Sequence, residues 1–250
     1  MFGSLPAEVF GIGLVFVRIG ALVMLLPGIG EASIPPRIRL SLALVLSLAF
    51  YPIVRAGLPA TPPATVGDLG AMVFIELFIG LGLGSVLRMF VTALAVAGET
   101  ISMQTTLSFA QTANPGQPPT TTVGTFLILL GTTLIFATGL HHMFIGAMVK
   151  SYTLFPIGRG IAIQDMGQLA IRTFGETFSL GIQLAAPVIV FSLVFNIAAG
   201  FIGRLMPQFQ IFFVATPLAV LFGLSIMAMS LGVFGLVWID RFRTFLSDFV

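Results

Sequence analysis

The 250-residue sequence has no cysteine, which excludes disulfides, thiolate metal ligands and cysteine nucleophiles. Charge is nearly as scarce: Asp, Glu, Lys and Arg together make up 8% of the chain, against about a quarter in soluble domains. The net charge of +2 is too thinly spread for a nucleic-acid surface. No Lys or Arg precedes Arg18, and Glu8 interrupts the first apolar run, so the start lacks the basic region of a signal peptide and residue 1 onward reads as mature protein. No HExxH, phosphate-binding glycine loop or nucleophile elbow is present. His141 and His142 are neighbours; successive helical positions diverge by about 100°, so they cannot share a metal without ligands from elsewhere.

What fills the space is apolar. Hydrophobic residues account for 57% of the chain and the mean hydropathy is +1.11, which places it among integral membrane proteins. Six apolar segments are legible, Val9–Leu26, Leu40–Val54, Leu69–Ala97, Val123–Val149, Thr177–Gly203 and Ile211–Ile239. They predict an all-α membrane protein of about six helical segments arranged as kinked hairpins. The second segment is shorter than the roughly 20 residues a straight span needs, so it reads as tilted, re-entrant or sheltered. Gly30–Arg39 reads as a proline-locked connector, and Lys150–Glu176 as a polar one. Pro187 and Pro217 fall inside apolar segments and predict kinks. On a six-span map Arg55, Lys150, Arg159, Arg172, Arg241 and Arg243 share the side of both termini, against Arg37, Arg39 and Arg204 opposite, which predicts cytoplasmic termini.

Polar residues inside these segments are few enough to name. Arg18 lies mid-segment, where a charge costs roughly 2.5–3.5 kcal/mol on insertion scales, and should face protein; whether it pairs with Glu76 or with a partner chain stays open. Glu76, Gly80, Gly84 and Arg88 recur every four residues and form one helix stripe. Gly80 and Gly84 make a small-xxx-small surface for close backbone approach. The stripe reads either as subunit packing or as packing within the chain. Asn196 reads as an interhelical hydrogen bond.

The longest polar interruption runs from Gly98 to Gly124 and carries one charge, Glu99. Asn114-Pro115-Gly116 and Pro118-Pro119 oppose both helix and strand. Held between two apolar segments, such a loop lies either in solvent or in a protein-lined cavity. The second possibility makes it a candidate plug.

Residues around this stretch carry a family resemblance. Glu76 to Gly84, Ala97-Gly98-Glu99, Gln104, and Leu107-Ser108-Phe109-Ala110 followed by Asn114-Pro115 resemble the FliR family of flagellar export-gate proteins. Gly139-Leu140-His141-His142, Ser151-Tyr152, Pro156-Ile157-Gly158, Arg204 to Pro207-Gln208, Phe212 and Pro217-Leu218 follow in family order. Two positions depart from it: Thr106 stands where the family commonly has Gly, and Asn114 where it commonly has Asp.

The resemblance implies one domain spanning 1–250, with a FliP-like half (1–122) and a FliQ-like half (123–250), working without cofactor or metal in the bacterial inner membrane and flagellar basal body. It implies partners FliP and FliQ, other export components such as FlhB, unfolded exported proteins and membrane lipid, but no nucleic acid. The middle loop is then a channel plug formed by Ser108, Phe109, Ala110, Gln111, Thr112, Ala113, Asn114, Pro115, Gly116, Gln117, Pro118, Pro119, Thr120, Thr121 and Thr122. Arg18, Glu76, Gly80, Gly84, Arg88 and Glu99 supply intramembrane charge and packing, and Pro207, Gln208 and Pro217 a motif near the C-terminal hairpin. Small apolar and neutral polar side chains suit a dry constriction better than charges, which hydrate it. The competing readings are the homologous gate subunit of a virulence injectisome, a small-molecule secondary transporter built around Glu76 and Arg88, and a membrane enzyme using Ser108 or the histidines.

Overall fold

The computed structural model describes residues 5–59, 61–109, 111–112, 120–158, 163–206, 208 and 210–247. Its helices are α1 (Leu5–Leu25), α2 (Pro36–Val54), α3 (Val66–Gln104), α4 (Thr122–Ala137), α5 (Leu140–Leu154), α6 (Ile163–Leu205) and α7 (Ile211–Ser247). Five are long and apolar enough to cross a membrane, and the pair α4 and α5 makes a sixth if it counts as one broken span. The all-α membrane class read from the sequence is therefore the observed one.

Several boundaries differ, each for a local reason. Helix α2 begins at Pro36, with Pro35 extended before it, because proline at the first helical position has no N–H to leave unsatisfied. Arg37 and Arg39 thus belong to the helix rather than to a connector, and a one-turn 3-10 extension makes Pro36–Gly57 a 22-residue span. The second segment is long enough to cross unaided. The expected Val123–Val149 helix is instead broken: α4 ends at Ala137, and Gly139 has φ +74°, a left-handed conformation that favours glycine. Helix α5 runs on past Lys150, and α6 starts at Ile163, so most of the expected Lys150–Glu176 connector is helical. Pro187 and Pro217 lie within α6 and α7, which continue through them.

The described residues fall into two compact units. The first draws on 1–89, 139–174 and 243–250. Its core joins Leu14, Val15, Ile19 and Leu22 of α1 to Ile79 and Leu83 of α3 and to Phe144 and Met148 of α5. The second draws on 90–138 and 175–242 and is organised around Trp238, which is fully buried. The indole Nε1 donates to the Phe90 carbonyl at 2.9 Å, and the Phe90 and Phe242 rings stack with centroids 4.9 Å apart. Large apolar side chains such as Val190, Leu193, Phe201, Phe213 and Met229 remain exposed on α6 and α7, as expected of faces that meet lipid or other protein rather than water.

Candidate functional site

The loop after α3 is held at both ends. At the trailing end α3 and α4 approach so closely at Gly98 and Gly124 that a Cβ on Gly98 would overlap the Gly124 Cα. Only a glycine pair permits that backbone contact. Beside it the Glu99 carboxylate accepts the Thr121 N–H at 3.0 Å. Thr121 is the N-cap of α4, and its hydroxyl accepts from the Gly124 N–H at 3.1 Å. Glu99 therefore sits at the positive end of the α4 dipole, where a carboxylate is stabilised. None of the ion pairs among the described residues involves it.

At the leading end, Thr105 is fully buried and returns its hydroxyl proton to the Ile101 carbonyl at 2.8 Å. Thr106 follows with φ 60°, and a 3-10 turn covers Leu107–Phe109. The backbone is left-handed at Thr106, and threonine occupies it under strain. Gln111 pairs with Thr121 and Thr112 with Thr120 in a short antiparallel ladder, β1 (Gln111–Thr112) and β2 (Thr120–Thr121). The prolines thus spare the flanks of the loop, which form a two-rung strand pairing where irregular backbone was expected. Thr122 opens α4. Ala110, Ala113, Asn114, Pro115, Gly116, Gln117, Pro118 and Pro119 lie outside the described residues, as does Pro207.

The polar stripe of α3 is occupied from within the chain. Arg18 and Glu76 are both fully buried, with Nε to Oε2 at 2.6 Å. Arg18 also donates from Nη1 to the Ser151 carbonyl at 3.0 Å and from Nη2 to the Phe155 carbonyl at 2.8 Å, and its guanidinium carbon lies 4.2 Å from the Tyr152 ring centroid. One arginine thus reaches two carbonyls at the C-terminal end of α5, that of Phe155 and that of Ser151, which also accepts the Phe155 N–H at 2.9 Å, while Glu76 balances its charge. A Cβ on Gly80 would stand 2.5 Å from the Arg18 carbonyl oxygen, and one on Gly84 2.9 Å from Leu25 Cβ. Helix α1 therefore fills the close-approach surface. Arg88, at the end of the stripe, pairs with Glu31 at 3.7 Å while half-exposed, a geometry worth little.

The sequence reading missed some of this. Ser151, Tyr152 and Phe155 drew no attention as partners of Arg18, because two are backbone acceptors and carbonyls have no residue signature. Asn196 bonds within its own helix, Nδ2 to Ser192 Oγ at 3.1 Å, rather than across helices; Ser192 makes the interhelical link instead, to Gln104 at 2.7 Å. Gln208 lies in an exposed turn before α7, and Pro217 lies inside α7. The His141 and His142 ring centroids are 4.0 Å apart, and no group of three or more His, Asp or Glu among the described residues could hold a metal.

The family model described as bacterial export proteins, family 1, matches residues 9–245. The chain is 56% identical over 243 residues to the flagellar biosynthetic protein FliR of Caulobacter vibrioides, covering 97% of this chain and 96% of that one. It is 30% identical over 236 residues to the FliR of Aquifex aeolicus, covering 94% and 90%. Against the FliR of Escherichia coli it is 31% identical over 215 residues, covering 85% and 80%.

Proposed function

Because the chain belongs to the FliR family of bacterial export proteins, and is thus a multi-pass inner-membrane subunit of the flagellar export gate, we propose that its Ser108–Thr122 loop is the plug that closes the gate. The supporting observation is the mounting of the loop. Gly98 against Gly124, and Glu99 on Thr121, pin its trailing end, while Thr105 is buried at its leading end. A plug needs this arrangement, since a segment anchored at both ends returns to one place after displacement. Its neutral composition suits a constriction that excludes ions.

The partners in this reading are FliP and FliQ, with FlhB among the further export components, and the cargo is unfolded exported protein. The chain acts as a conduit and not as an enzyme, so energy for transport comes from other components. Flagellar relatives favour the flagellum over the virulence injectisome. A secondary transporter would purify as a monomer or simple homo-oligomer, whereas a gate subunit co-purifies with FliP and FliQ. Deleting residues 109–120 tests the plug itself: the assembled gate should form and conduct ions, and unchanged membrane conductance would refute the assignment.

A further inference from the structure

Helix hydroxyls among the described residues commonly give their proton back to a carbonyl one turn earlier, as those of Ser47, Thr100, Thr133 and Ser225 do, the usual local solution. Ser192 of α6 does not. It is 2% exposed and donates to the side chain of another helix, Gln104 Oε1, at 2.7 Å. It accepts in turn from Asn196 Nδ2 at 3.1 Å, which directs the hydroxyl proton toward Gln104. Gln104 is the last residue of α3, so this polar relay ends where the loop begins.

Two neighbouring contacts make that placement matter. Thr105 is fully buried, and a Cβ on Gly223 of α7 would overlap its Cγ2, so α7 lies directly against it. Thr106 then carries φ 60°, a left-handed conformation that a β-branched residue keeps only when its surroundings over-determine it. With Gln104 held by α6 and Thr105 by α7, Thr106 is the joint between the fixed end of α3 and the turn Leu107–Phe109.

We infer that Ser192, through Gln104, is a positioning residue that sets the direction in which the loop's leading limb, Thr105–Phe109, leaves α3. The inference rests on the plug reading for its consequence in export, but its geometry concerns the limb alone. Loss of this interhelical hydrogen bond frees the Gln104 amide and loosens the turn that follows.

The absence of native cysteine supplies a direct test. In the gate assembled with its partner subunits, a Ser108→Cys reporter is modified with a water-soluble maleimide and its rate followed on this chain by mass. Ser192→Ala and Gln104→Leu should each change that rate at least about threefold, Asn196→Ala about twofold, and Ser192→Thr, which keeps the hydroxyl, should restore it. Unchanged rates in assembled Ser192→Ala and Gln104→Leu gates would overturn the inference, as would a change that Ser192→Thr fails to reverse. Should Ser192→Ala not assemble, Gln104→Leu decides by the same criterion. The conductance of the 109–120 deletion is measured separately, so a failed plug and a failed relay give different results.

Discussion

Gly98 and Gly124 touch backbone to backbone, so that the two ends of the longest polar stretch in the chain meet where α3 and α4 cross. The contact closes the stretch into a loop with a fixed base. Gly98→Val should therefore separate α3 from α4, at a cost of about 1–3 kcal/mol typical of overpacking. Thermal unfolding of the purified protein should show the loss, and a native-like transition would count against the contact.

The buried pair Arg18–Glu76 is expected to behave as a unit. Arg18→Met or Glu76→Met alone leaves one uncompensated buried charge, which typically costs about 3–5 kcal/mol. The double substitution should lose clearly less than the sum of the two singles, since neither charge remains. Strict additivity in a double-mutant cycle would deny the pairing.

Gly84→Leu and Gly80→Leu should differ in whether they can be rescued. A Cβ at position 84 meets the Leu25 side chain, whereas one at position 80 meets the Arg18 carbonyl. Both should reduce the yield of folded protein. Adding Leu25→Ala should recover part of the Gly84→Leu loss, but no side-chain substitution removes a backbone carbonyl. Failure of Leu25→Ala to help would show that Gly84 faces something other than α1.

Thr106→Gly should stabilise the folded protein. Relief of left-handed strain is worth about 1–3 kcal/mol, set against about 0.5–1 kcal/mol for the greater chain entropy of glycine. A gain near 1 kcal/mol in denaturant unfolding is expected; a loss would mean that the threonine hydroxyl, which donates to the Thr105 carbonyl at 2.6 Å, outweighs the strain.

The candidate site was partly legible beforehand. The neutral Pro/Gly loop stood out because the other long polar stretch, Lys150–Glu176, is charged, and Thr106 became informative once its φ was known. Ser192 left no comparable signal. A serine in an apolar segment usually bonds its own backbone, and only the packing of α6 against Gln104 turns it outward to another helix. The break at Gly139 was equally hidden, because glycine is common within these apolar segments and nothing in the sequence marks this one as the left-handed turn that separates α4 from α5.

Composition and apolar run length alone determined that this chain lives in a membrane as helices, since burying so much hydrocarbon with so little charge leaves no soluble alternative. They also determined that Arg18 had to find protein, because lipid offers an arginine no partner. Which protein groups it found was decided only in three dimensions. Its partners come from α1's neighbours α3 and α5, up to 137 residues away, and hydrogen bonds to carbonyls depend on where backbones meet rather than on which residues they carry. The same holds for the glycines: the sequence shows where a helix can be approached closely, but only packing selects the helix that does so.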